Sequence, residues 1–191
     1  MQDEITEDMI KLLHIIHKYT LQEEKEKDPK WIKELPLATL IYKGIITGLF
    51  ETYDYAPWSV QMLDGTRQWL NVSREAKDDL EDLLRLGLIS ILRLSTGNYG
   101  YITAYRVTPR GASFLSSASE EIKKTVNQLL YCNSEHLRFV EIQNRQFYLF
   151  CTACGIRERV SIDDLEDIPY KSRSYLPKYL GIGDLARGEK E

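Results

Sequence analysis

Apolar positions along this chain change period several times, and turn chemistry marks each change. Behind Thr6, whose hydroxyl suits a helix cap, Met9, Leu12, Leu13, Ile16 and Tyr19 recur at three-to-four spacing and predict an amphipathic helix over residues 6–26. The mixed-charge run at 22–28 is its solvated end, stopped by Pro29. After Pro36, the positions Leu37, Leu40, Ile41, Ile45, Leu49 and Phe50 predict a strongly apolar helix reaching about Tyr53. On it, Gly44 and Gly48 leave room for another helix to approach. Residues 53–58 read as an aromatic-bearing loop, and 59–70 as a short helix around Val60, Met62 and Leu63.

Residues 73–115 carry the clearest punctuation. Ser73 can cap a helix whose buried stripe is Ala76, Leu80, Leu83 and Leu84, and Gly87 is placed to close it in the left-handed conformation. Two β-rich runs follow, 88–94 and 101–107, around a reversal at 96–100, and Thr108-Pro109 then starts a helix over 110–116. The spacing Ser117-x2-Glu120 is that of a capping box, ahead of a helix through Ile122, Val126, Leu129 and Leu130 to Tyr131.

Beyond that point the chemistry becomes specific. Cys132-x3-His136, then Cys151-x2-Cys154-Gly155 after 14 residues, places soft donors ahead of the first and between the second and third of three predicted strands at 137–142, 146–150 and 156–162. Structural zinc, a module that has lost its metal, and redox use of the Cys-x2-Cys pair are the three available uses. Redox is disfavoured because the pair sits between strands instead of opening a helix. Glu135 is a poorer fourth ligand than His136. Residues 163–191 hold too many prolines for a helix, yet Tyr170, Tyr175, Leu176, Tyr179 and Leu180 suit an extended tail that packs on a domain or partner.

The composition adds bounds. With 191 residues, 43% apolar and 28% charged, the chain can bury a core without disulfides. A net charge of −4 gives no general attraction to phosphate or anionic lipid, and no apolar run reaches membrane-span length. Three cysteines and no signal-peptide pattern point to an intracellular protein, cytoplasmic or nuclear. No phosphate loop or nucleophile motif is present, and the three histidines, two of them (His14 and His17) ordinary helix residues, leave little for acid–base catalysis.

Helix, Leu84-Arg-Leu-Gly-Leu-Ile89, hairpin, and Tyr105-Arg-Val-Thr-Pro-Arg-Gly111 together resemble a winged-helix domain. The segment 131–162 resembles a zinc ribbon, with a well-matched second knuckle and a first knuckle lacking its usual second cysteine. The resemblance implies an α+β fold: a helical winged-helix domain with an N-terminal extension over 1–130 (Trp69 and Leu70 facing its helices), a three-stranded zinc-ribbon-like module over 131–162, and the tail over 163–191. It implies structural zinc on Cys132, His136, Cys151 and Cys154, and a wing tip at Asn98, Tyr99 and Tyr101. The pairing is similar to that of archaeal transcription factor E and its eukaryotic relatives.

Acidic residues dominate the recognition-type helix, so the first expectation is a non-catalytic protein-binding or assembly subunit. The helix after the wing leaves a homodimer open. The alternative is a DNA-binding transcription regulator using the wing with Arg106, Arg110, Arg138, Arg145, Arg157 and Arg159, the last four interleaved with Phe139, Phe147 and Tyr148. No membrane or small-molecule substrate is expected.

Overall fold

The computed structural model describes residues 5–21, 28–61, 67–96, 100–143 and 146–160. Asn98, Tyr99, Arg145, the side chains of Trp69 and Tyr101, the residues around Met62, the charged run at 22–27 and the tail at 163–191 lie outside the described residues. Among the described residues the fold is α+β, with helices packed around a main apolar core, a second small cluster on Leu70 and Phe147, and three small antiparallel sheets.

Helix α1 (Glu7–Thr20) starts where Thr6 accepts from the Met9 amide at 3.2 Å, and it buries Met9, Leu12, Leu13, Ile15 and Ile16. It is shorter than its periodicity predicts, because Leu21 has already left helical angles. Buried Thr20 fixes that end: its hydroxyl donates to the Ile16 carbonyl at 2.9 Å and accepts from the Val107 amide at 3.5 Å. In the first turn Asp8, 3% exposed, accepts from the backbone amides of Glu51 and Thr52, the Thr52 hydroxyl and Lys11. These bonds anchor the loop that follows the second helix.

That helix, α2 (Glu34–Ile46), follows the two-residue strand β1 (Ile32–Lys33) and takes Pro36 within its first turn, where a missing amide is harmless. The predicted continuation to Tyr53 does not occur. Gly48 has φ +75, its amide reaches the Ile45 carbonyl and the Leu49 amide the Gly44 carbonyl, the paired bonds of a glycine-terminated helix. The two glycines therefore do not make a helix-docking surface. Phe50 folds back so closely that a Cβ on Gly44 would lie 2.7 Å from its ring.

The predicted short helix at 59–70 is instead a hairpin, β2 (Ala56–Gln61) and β3 (Arg67–Val72), with Trp58 opposite Leu70. Leu70 is buried against Phe147 of the later sheet, and Leu35 and Ala38 of α2 pack on the pair, so Leu70 does face a helix, from a strand instead of a helical turn. Apolar residues in short runs fit either period, and here alternation wins.

Helix α3 (Arg74–Arg85) is capped by Ser73 and closed by Gly87 at φ +71. Strands β4 (Ile89–Thr96) and β5 (Gly100–Val107) form the predicted hairpin, and β1 joins its other edge to give the order β1-β5-β4. Helix α4 (Pro109–Ser116) begins at Thr108, whose hydroxyl accepts from the Gly111 amide and donates to the Gly87 carbonyl. Helix α5 (Glu120–Leu130) is capped by Ser119, not Ser117, which ends α4. It buries Val126, Leu129 and Leu130 and leaves Glu121, Lys124, Thr125 and Gln128 exposed.

His14 links α1 to α5, its Nε2 lying 3.3 Å from the Asn127 side-chain oxygen, and only 4% of it is exposed. Burial first, then the neighbouring Lys18, His17 and Lys123 charges, push its pKa down to about 4, although the Asn127 bond pulls the other way. The unfolded chain therefore binds this proton more readily, so the contribution is intact above about pH 6.5 and is lost as pH falls toward 4. Urea midpoints should fall over that window with a slope approaching about 1.4 kcal/mol per pH unit from this group. His14→Gln should flatten the profile relative to wild type, and equal slopes would refute the assignment.

Candidate metal centre

The third sheet is built from β6 (Phe139–Gln143), β7 (Gln146–Phe150) and β8 (Arg157–Arg159), in that order. Alternation sends Leu149 and, just past β8, Val160 into the same core as the helices. On the outer face, Phe139 pairs with Phe150, Glu141 with Tyr148, and Tyr148 with Arg159. Tyr19 of α1 ties the sheet to the helices by donating to the Arg138 carbonyl at 2.5 Å.

Two turns carry the donors. In the second, the Cys151 amide donates to the Ile156 carbonyl, the Gly155 amide to the Cys151 carbonyl, and Gly155 has φ +68. The Cys154 amide points at the Cys151 sulfur, 3.4 Å away. The first turn repeats this scheme with one residue fewer. The Cys132 amide donates to the His136 carbonyl, the Glu135 amide to the Cys132 carbonyl, and Glu135 holds φ +60. The shortening places His136, not a second cysteine, beside the site, and its imidazole supplies the missing reach.

The four donors converge. Cys132 Sγ lies 3.5 Å from Cys154 Sγ and 3.7 Å from Cys151 Sγ, and His136 Nδ1 is 3.8 and 3.6 Å from Cys132 and Cys154. All four donor atoms lie within 4.8 Å of one another, which makes this a possible metal site. Glu135 is not among them. For the Cys132 thiol, burial acts to raise the pKa, but hydrogen bonds from the His136 and Ser134 backbone and the neighbouring Cys154 and His136 side chains lower it to about 6. Cys154 is pushed up, chiefly by its contact with Cys132.

Because Glu135 serves the turn and not the site, Glu135→Gly should relieve the left-handed strain. A gain on the order of 1 kcal/mol by urea unfolding, with metal content unchanged, is the expected result. A loss of bound metal would make the carboxylate a ligand.

The predicted arginines separate into different roles. Arg138 is turned inward, donating to Glu158 at 2.8 Å and to the Leu129 carbonyl, so it is not a surface contact. Glu158 also meets Lys43 of α2 at 2.5 Å and was not singled out by sequence. Its place between Arg157 and Arg159 on one strand is the signal, since the middle residue must face the opposite side. Arg157 lies over the Tyr148 and Phe150 rings, 5.1 and 5.5 Å from their centroids, and pairs with Glu141 at 2.6 Å. Arg159 and Arg110 are exposed and Arg106 half-buried. Phe147 of the predicted aromatic set is fully buried.

No helix among the described residues is long and apolar enough to cross a membrane. Comparison with curated proteins and with solved structures gives no match. Residues 8–161, from Asp8 of α1 through the donor turns and past β8, match a family of proteins, and the chain belongs to the Uncharacterized protein MJ1567 family.

Proposed function

We propose that this chain is a non-catalytic interaction protein, a winged-helix unit followed by a zinc-ribbon-like unit, which docks on another protein through the face carrying α3. The charge on that face is the observation that supports the reading. The helix has five carboxylates against three cations. Arg74 and Arg85 pair with its own Asp78 and Asp82 at 4.0 and 3.0 Å, while Lys77 lies over the Trp58 ring. Glu75, Asp78 and Glu81 stay exposed, and such a helix in a DNA groove would set like charge against phosphate. Trp58, 41% exposed, and Leu84 beside this acidic surface supply the apolar anchors typical of protein interfaces.

The ion is structural zinc. Zinc–sulfur bonds of about 2.3 Å in a tetrahedron give sulfur–sulfur edges of about 3.8 Å, close to the 3.5 and 3.7 Å separations here. With four protein donors no position is left for an activated water, so the centre staples the sheet and does no hydrolysis. Three free thiols suit an intracellular compartment.

Fluorescence anisotropy with a random duplex at low salt tests the reading. Wild type should not bind, whereas Asp78→Lys/Glu81→Lys/Asp82→Lys should gain salt-sensitive binding. A partner captured from host extract should be lost by the same variant and kept by Lys124→Glu. Salt-sensitive DNA binding by wild type, lost in Arg157→Ala/Arg159→Ala, would favour the second reading, a DNA-binding regulator. The stacking of Arg157 on Tyr148 and Phe150 supports that alternative.

A further inference from the structure

We infer that Cys154 and Cys132 form an oxidation site, at which a hydroperoxide joins the two sulfurs in a disulfide and opens the metal centre. The inference rests on reading that centre as a metal site, but the choice of sulfurs follows from geometry alone.

The donors are unequally protected. Cys151 is 0% exposed, and its sulfur already accepts the Cys154 amide at 3.4 Å, whereas Cys154 is exposed and Cys132 half-buried. Oxidation of thiolates follows exposure and electron density on sulfur, and an N–H directed at sulfur withdraws that density. Cys154 is therefore the sulfur a peroxide meets first. Spacing along the chain would nominate Cys151, two residues away, as its partner. In space Cys132, itself only half-buried, is set 3.5 Å from Cys154 on the opposite turn.

With both sulfurs ionised as metal ligands, the more exposed Cys154 attacks one peroxide oxygen; an S–O bond forms, the O–O bond breaks, and the leaving oxygen departs as hydroxide and takes up a solvent proton. The Cys132 thiolate then attacks the sulfenic sulfur; the S–S bond forms, the S–O bond breaks, and a second hydroxide leaves. Two thiolates have lost two electrons, and hydrogen peroxide with two solvent protons has become two waters. Only Cys151 and His136 remain as donors, too few to hold a tetrahedral ion. The new bond spans the two turns the metal had joined, so the sheet stays tethered, and a dithiol reductant restores the original donor set.

The test treats the zinc-loaded full chain with hydrogen peroxide while a chromogenic chelator reports released zinc. The protein is then alkylated in denaturant, digested and mapped by mass spectrometry. Zinc release should keep step with loss of two of the three thiols, with a Cys132–Cys154 cross-linked peptide, the alkyl label on Cys151 alone, and all three thiols regained after dithiothreitol. A Cys151–Cys154 link, sulfinic acid without a disulfide, or zinc retained with thiols intact would overturn the inference. Protein that carries no zinc before peroxide counts against the metal reading. The peptide map of that sample still decides the oxidation site by which cysteines are linked. Using wild type throughout avoids ligand variants that fail to fold.

Discussion

Gly111→Ala should leave the chain poorly folded, with thermal unfolding lowered by at least about 6 °C, from a loss of at least about 3 kcal/mol. Helix propensity alone argues the opposite sign, since Gly111 lies inside α4 and alanine is favoured there by about 1 kcal/mol. Contact decides the matter. A Cβ at this position would stand 2.1 Å from the Leu88 carbonyl oxygen and 2.9 Å from Val107 Cγ1. The carbonyl cannot swing aside, because it already accepts from the Thr108 amide at 3.0 Å, and the Thr108 hydroxyl, whose one proton it shares with the Gly87 carbonyl, lies 3.2 Å away. Backbone would have to move at the crossing of three elements: the end of α3, the start of β4 and the first turn of α4. Arg110→Ala, one residue earlier and exposed, is the control and should shift unfolding little. Equal stability of Gly111→Ala and wild type would mean that α4 is not seated on Leu88.

The same corner shows which parts of the fold could be read from residues alone. Ser73, Gly87, Thr108 and Pro109 act within a few residues of themselves, so helix α3, the β4–β5 hairpin and α4 were legible. Gly44 and Gly48 were visible too, but their roles were not. A glycine pair four apart is compatible with close helix approach, and only the turn of Phe50 back over Gly44 reveals that the helix stops there. The β2–β3 hairpin was missed because short apolar runs do not declare their period, and its burial comes from other elements, Leu35 and Ala38 of α2 and Phe147 of a sheet some eighty residues later, all meeting at Leu70. At the candidate metal site, donor spacing picked out the four residues whose donor atoms converge, since thiolate and imidazole at short intervals have few other uses. The fate of Arg138 could not be read, because it depends on Glu158 arriving from β8 and on Lys43 arriving from α2. Local chemistry speaks in the sequence; ion pairs between distant elements do not.

If the four donors hold zinc as proposed, removing it should cost the third sheet its closure. A chelator that strips the ion, or Cys151→Ala, is expected to lower thermal unfolding by about 8 to 16 °C. That range corresponds to about 4 kcal/mol of linkage at a free ion concentration a thousandfold above its Kd. Amide protection should be lost first across residues 132–160, because the two donor turns are held by few backbone bonds of their own and three short strands do not stand alone. The loss cannot remain local. Leu149 and Val160 belong to the helical core, and Phe147 covers Leu70, so a loosened sheet exposes one side of the main core and destabilises the β2–β3 hairpin. Substitutions should rank by what they leave behind. Cys151→Ala removes a fully buried donor and opens a void, whereas His136→Ala removes an exposed one and should be milder. His136→Cys should keep the ion if the thiolate reaches from the shortened turn, and its metal content separates ligand chemistry from turn geometry. An unchanged melting temperature after complete stripping would show that packing through Phe147, Leu149 and Val160, with Glu158 bridging Lys43 and Arg138, holds the sheet without a metal.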